Sequence, residues 1–142
     1  TAAQDAVTAL ARGRRTQGTT RITANKLEFD YKDYVALFDG NVKVADPQFV
    51  LTADKMLIFF ENTNDVRRVD AVGNVKVVSQ DRTATCGKAT YIRANGAIEM
   101  LEQPVVRKGP NMLRGRKITV WINDNRVEVE GAVQLEGMTG SP

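Results

Sequence analysis

The chain has 142 residues, 42% hydrophobic and 26% charged, with 20 Lys+Arg against 17 Asp+Glu for a net charge of +3. That composition describes one globular domain, long enough to bury a core without staples. There is no histidine and one cysteine, Cys86, which excludes Ser-His-Asp and Cys-His catalysis, a Cys/His zinc site within the chain and an intrachain disulfide.

Residues 1–20 are Ala-rich and then Arg/Gly/Thr-rich, with no period-two alternation. They are expected to be a flexible or short helical segment, with any helix over Ala2–Leu10. Arg12, Arg14, Arg15 and Arg21 concentrate part of the net charge here. No aromatic residues are interleaved with them, so they read as a basic tail and nucleic acid is not an expected partner.

From residue 21 the chain repeats itself. Ile22-Thr-Ala-Asn-Lys-Leu-Glu-Phe29 aligns with Leu51-Thr-Ala-Asp-Lys-Met-Leu-Ile58, with Ala84–Tyr91 and with Leu113–Val120. The aligned lysines are Lys26, Lys55, Lys88 and Lys117. A second element follows each first one. Gly40-Asn-Val-Lys-Val44 recurs as Gly73-Asn-Val-Lys-Val77, with weaker copies at Gln103–Arg107 and Gly131–Leu135. Turn-forming residues separate the elements: Asp30/Lys32/Asp33, Asn62/Asn64/Asp65, Asn95-Gly96 and Asn123/Asp124/Asn125.

The elements alternate apolar and polar with the period of a strand. In each first element the alternation slips by one residue, at Ala24-Asn25, Ala53-Asp54, Cys86-Gly87 and Gly115-Arg116. A slip of one marks a bulge or corner. The expected fold is all-β: a meander of eight bent strands, or about sixteen short ones, built from four repeats of about 30 residues, whose two facing sheets make an antiparallel β-sandwich or jellyroll-like taco with open ends. It occupies residues 21–136, and residues 137–142 are expected to be a disordered tail.

Strand parity points one set of side chains inward. It comprises Ile22, Leu27, Phe29, Phe38, Val42, Val44, Leu51, Met56, Ile58, Val75, Val77, Tyr91, Met100, Ile118, Val120, Val129 and Val133, with Val69, Ile98, Val105, Val127 and Leu135 on the same face. In an arbitrary sandwich such residues fill the core and touch no ligand. Cys86 takes the small-residue slot held elsewhere by Ala24, Ala53 and Gly115. Trp121 has outward parity and packs under the amino-terminal segment or against another chain. No carboxylate pair spans a cleft as a glycosidase requires, and no phosphate-binding loop is present. No enzyme activity, metal or cofactor is expected.

The pairing of Ile-Thr-Ala-Asn-Lys and Leu-Thr-Ala-Asp-Lys elements with Gly-Asn-Val-Lys-Val elements, and the run Leu113-Arg-Gly-Arg-Lys-Ile-Thr-Val120, resemble the OstA-like, LptA family of periplasmic lipopolysaccharide transport proteins. The resemblance covers about residues 20–136. It implies a V-shaped β-jellyroll, a periplasmic location, and an interior groove that shields lipopolysaccharide or a related glycolipid. The inward set above is then the lipid-binding surface. Lys26, Lys55, Lys88 and Lys117 become candidate contacts to phosphates or sugars, against the alternative that they are solvated edge lysines. The implied partners are other OstA-like domains, LptC-like and LptD-like, joined by edge-strand pairing, with a head-to-tail homo-oligomer as a further option. The rival expectation is a structural module of the same fold. It would dock by its edges in envelope assembly and bind no lipid.

Overall fold

The fold comes from a computed structural model that describes residues 20–62, 65–121, 124 and 126–137. The expected amino-terminal helix, Arg12, Arg14, Arg15, Asn64, Asn123, Asn125 and most of the tail lie outside the described residues.

The strands are β1 (Arg21–Thr23), β2 (Lys26–Asp30), β3 (Val35–Ala45), β4 (Phe49–Phe60), β5 (Val66–Ser79), β6 (Thr83–Ile92), β7 (Ala97–Leu101), β8 (Val105–Lys108), β9 (Asn111–Arg114), β10 (Lys117–Trp121), β11 (Arg126–Glu130) and β12 (Gln134–Glu136). Every pairing is antiparallel. Valine, isoleucine, threonine and aromatic residues dominate these runs, as suits a pleated surface buried on one side. The connections are short because Asx turns close them. Asp30 Oδ1 accepts from the backbone N–H groups of Lys32 and Asp33. Asn62 does the same for Asp65, and Asn95 for Ala97.

The strands form one continuous sheet, which bends along a crease into two wings. The first wing runs β1, the C-terminal half of β3, the N-terminal half of β4, the C-terminal half of β5, the N-terminal half of β6, then β8, β9 and β12. The second runs β2, the complementary halves of β3 to β6, then β7, β10 and β11. Four long strands therefore belong to both wings. The two separate facing sheets a sandwich would have are here one sheet folded on itself.

The crease is built the same way four times. The register slips between Asp39 and Val42, between Thr52 and Lys55, and between Val72 and Val75. The chain breaks pairing between Thr23 and Lys26 and between Arg114 and Lys117. These include the expected corners at Ala24-Asn25, Ala53-Asp54 and Gly115-Arg116. The partner strands turn on two consecutive residues of positive φ: Gly40–Asn41, Gly73–Asn74, Glu102–Gln103 and Gly131–Ala132. Backbone contacts clamp corner to corner. The Asn25 N–H donates to the Gly40 carbonyl at 2.8 Å, and the Gly87 N–H to that of Glu102 at 3.0 Å. Asn74 Nδ2 donates to Asp54 Oδ2 at 3.0 Å. A Cβ on Gly73 would lie 2.5 Å from that same oxygen, so both the backbone angle and the close approach require glycine there.

Candidate functional site: the space between the wings

Inward-facing side chains of both wings pack together in two adjoining groups. One holds Ala36, Phe38, Val42, Val44, Met56, Ile58, Phe60 and Val66. The other holds Ala53, Ala71, Val75, Cys86, Ala89, Met100 and Ile118. Val42 and Val44 come from the first wing and Phe38 and Ile58 from the second, so the inner faces meet.

Cross-strand register sorts the inner face into rows parallel to the crease. In the second wing the row nearest the crease is Leu27, Phe38, Met56, Ala71, Ala89, Met100, Ile118, Val129. Its members from Phe38 to Ile118 are buried. One row further out lie Phe29, Ala36, Ile58, Val69, Tyr91, Ile98, Val120 and Val127. Here Ala36 and Ile58 are buried, Val69 to Val120 are half-buried, and Val127 is 44% exposed. The first wing shows the same gradient. Val42, Ala53, Val75 and Cys86 are buried beside the crease. In the next row Val44 is still buried, Ile22, Leu51 and Val77 are half-buried, and Leu135 is 73% exposed. The interior is thus tight along the crease. Away from the crease it stays closed on β3 and β4, where Ala36, Val44, Ile58 and Phe60 are buried, and loosens along the sheet towards β11 and β12.

Aromatic residues fill the other end. Phe29 packs on Phe60 with ring centroids 5.9 Å apart, and on Tyr31 at 5.1 Å. Half-buried apolar side chains on a concave face are surface that a long apolar ligand can still cover.

Of the residues expected on the inner face, Val133 departs. It lies outside any strand and is 58% exposed. Val105 is also corrected. Val106 packs against the core, and Val105 pairs with Thr85 on the outer row. The reason is the position of the corner: Glu102–Gln103 takes the place of Gly40–Asn41, one residue earlier than the Gln103–Arg107 alignment puts it, so Val106 and not Val105 matches Val44.

The four repeated lysines fall in one cross-strand row. Lys26 pairs with Asp39, Asp39 with Lys55, Lys55 with Val72, Val72 with Lys88, Lys88 with Leu101, Leu101 with Lys117, and Lys117 with Glu130. The row runs beside the crease on the outer face of the second wing. The lysines stand on alternate strands, about 10 Å apart. Lys26 is ion-paired with Glu28 at 2.6 Å. They face away from the interior, so they do not line the same space as the inward set.

The sequence reading missed a polar cluster on that outer face. Asp70 has outward parity, yet its side chain is only 6% exposed. Arg68 donates to both carboxylate oxygens, at 2.9 and 2.6 Å, and its guanidinium lies 4.9 Å from the Phe59 ring centroid. Burial alone would raise the Asp70 carboxyl. Hydrogen bonds from Arg68 and Thr90 and the nearby positive charges outweigh it and hold the group below the usual carboxylate range. The spacing Phe59, Arg68, Asp70 carried no sequence signal, because cross-strand register brings Phe59 to Arg68. Trp121 is half-buried on the same face, with Arg126 stacked 3.9 Å over its ring. Cys86 is buried, and burial pushes its thiol up to about 11.

Two clefts are present elsewhere. One of about 700 Å³ lies between the Asp46–Phe49 and Ser79–Arg82 turns at the tip of the first wing. The other, about 390 Å³, lies on the outer edge of the second wing among Glu28, Val35, Leu37, Leu57 and Phe59. The sheet has free edges at both ends: β1 and β2 pair only with β3, β11 only with β10, and β12 only with β9, among the described residues.

A creased, antiparallel β-jellyroll with an apolar, partly open interior and two free edges defines the class of protein. The family described as LptA/(LptD N-terminal domain) LPS transport protein matches residues 21–126, and the chain belongs to that family. Among solved structures it is similar to LptH, the LptA-homologous periplasmic component of the lipopolysaccharide transport device of Pseudomonas aeruginosa. The TM-score is 0.75 at 18% identity, covering 86% of this chain and 96% of that one. No curated protein sequence matches the chain. Among the described residues no helix is long and apolar enough to cross a membrane.

Proposed function

We propose that this chain is a non-enzymatic periplasmic carrier that shields lipopolysaccharide acyl chains between its two wings on the way to the outer membrane. The observation that carries the reading is the exposure gradient across the inner face of the second wing, from buried at the crease to half-buried one row out at Val69, Tyr91, Ile98 and Val120. A dry, filled sandwich would bury both rows. Covering an acyl chain is worth about 0.8 kcal/mol per CH₂, so a dozen carbons yield roughly 10 kcal/mol before the costs of ordering. A carrier must also release its cargo. Side chains that cover the lipid on one side only keep the total below that ceiling.

The inward set from Ile22 to Val129 supplies the lipid surface, with its widest part near Val120 and Val129. The free edges support pairing with other OstA-like domains, LptC-like on one side and LptD-like on the other. A head-to-tail contact between copies of this chain follows the same geometry. Lys26, Lys55, Lys88 and Lys117 contact phosphates or sugars only where these wrap outside the second wing.

The rival reading is an edge-docking module with a filled interior, and the burial of the crease row from Phe38 to Ile118 favours it. Native mass spectrometry of the gently purified protein separates the two. The carrier reading expects a bound fraction at the mass of lipopolysaccharide or its lipid anchor. Protein that is uniformly free of lipid, taken from cells that make lipopolysaccharide, supports the module.

A further inference from the structure

We propose that the outer face of the first wing docks on an anionic phospholipid bilayer. The net charge of the chain hides a strong asymmetry between the two outer faces. Register places Arg21, Lys43, Lys76, Arg107 and Arg114 on the outer face of the first wing, with Glu136 at its far end. The outer face of the second wing interleaves its lysines with Asp39 and Glu130, and its next row carries Glu28, Asp70, Glu99 and Glu128.

Among the described residues, Arg21, Lys43, Lys76 and Arg107 have no carboxylate within ion-pairing distance. Lys43 and Lys76 are exposed and stand on either side of Thr52 in one cross-strand row. Val50 and Val78 pair with each other at the centre of the neighbouring row, 36% and 40% exposed. Lys43 and Lys76 stand one row in from these valines, and Arg21 and Arg107 lie two strands to either side of them, while Asp81 at the tip is paired with Arg82 and Lys108. Accessible valines flanked by these cations have the chemistry of a bilayer interface: apolar contact at the level of the headgroups and positive charge toward phosphate.

Other anionic partners fit less well. The strands inside this face are paired on both sides, so no peptide strand can be added there. The two rows that form it carry no aromatic side chain on which bases could stack. The face spans eight strand segments at about 4.8 Å each, or roughly 34 Å from first to last. An extended planar anion matches that area.

The proposal is independent of the interior, because none of these side chains faces it. The test is flotation of the purified full chain with vesicles of phosphatidylglycerol and phosphatidylcholine, and with phosphatidylcholine alone. Two quadruple variants of identical net charge are compared: Lys43→Gln/Lys76→Gln/Arg107→Gln/Arg114→Gln on the first wing, and Lys26→Gln/Lys55→Gln/Lys88→Gln/Lys117→Gln on the second. Each cation held at an anionic surface contributes about fivefold in affinity. The first variant should bind phosphatidylglycerol vesicles at least a hundredfold more weakly than the unmodified chain. The second should stay within a few fold. The double variant Lys43→Glu/Lys76→Glu, at two exposed positions, should also lose binding while keeping the urea midpoint of the parent. Equal loss in both quadruple variants, equal binding to phosphatidylcholine alone, or no vesicle binding by the parent chain overturns the proposal. So does binding to an acidic protein with none to vesicles.

Discussion

Ile118 and Ile98 lie on the same inner face of the second wing, in adjacent rows. Ile118 pairs with Met100 and is 0% exposed, whereas Ile98 pairs with Val120 and is half-buried. Truncating each to alanine removes the same atoms, so any difference reports the environment. Ile118→Ala leaves a closed cavity against Met100, Ala89 and Val75. It should cost 3–4 kcal/mol, within the roughly 2–5 kcal/mol observed for buried Ile or Leu to Ala. Ile98→Ala leaves a dent that solvent fills. Only the transfer of its covered methylenes is lost, about 1–1.5 kcal/mol at about 0.8 kcal/mol per buried CH₂. Urea unfolding at constant m-value measures both. Losses equal to within about 0.5 kcal/mol would refute the reasoning, because the two rows would then be equally packed and the space between the wings would be closed.

Other outcomes follow from single sites. Gly73→Ala, at φ +85° and against Asp54, should cost about 2 kcal/mol, whereas Glu102→Gly, at the equivalent strained corner, should be neutral or stabilising by about 0.5 kcal/mol; thermal melts of the pair decide it. Arg68→Ala strips the Asp70 carboxylate of its main partner and should cost about 2 kcal/mol at pH 7. The folded Asp70 carboxyl lies below its unfolded value, so its contribution is present above the unfolded value and disappears as pH falls through the folded one. The gap between parent and Arg68→Ala should therefore shrink in acid, and a gap that is constant down to pH 2 contradicts the assignment. Cys86, buried with its thiol raised to about 11, should resist iodoacetamide at pH 8 in the folded chain and react at once in urea. Rapid labelling of the folded protein would place it on an open surface.

Much of the architecture is legible in the sequence because strand parity is a local property. The slips at Ala24-Asn25 and Gly115-Arg116 announce corners, and the alternation around Ile58 and Val120 fixes the inner face. The partner corners carry no slip in the alternation, although Gly-Asn recurs letter for letter at residues 40 and 73. The Glu102–Gln103 copy has no glycine, and so the strand after it was read in the wrong phase, placing Val105 inside instead of Val106. Asp70 was invisible because its burial depends on Arg68 and Phe59, which outward parity treats as solvated. The lysine row shows the opposite case: Lys26, Lys55, Lys88 and Lys117 recur visibly in the sequence, but only register between strands reveals that all four share the outer face of one wing. The inner rows likewise became distinguishable only once exposure was known, since Ile98 and Ile118 look alike in sequence.

Photo-crosslinking in cells that make lipopolysaccharide tests the central claim most directly. A benzophenone side chain is placed at Phe29, Ile98 or Val120 on the inner face, and at Lys55 or Lys88 on the outer face as control. The carrier account predicts lipopolysaccharide adducts from the inner positions, strongest at Ile98 and Val120 where the wings are loosest, and none from the controls. Adducts from Lys55 and Lys88 alone, or no adducts at any inner position while the protein is folded and expressed, would contradict it.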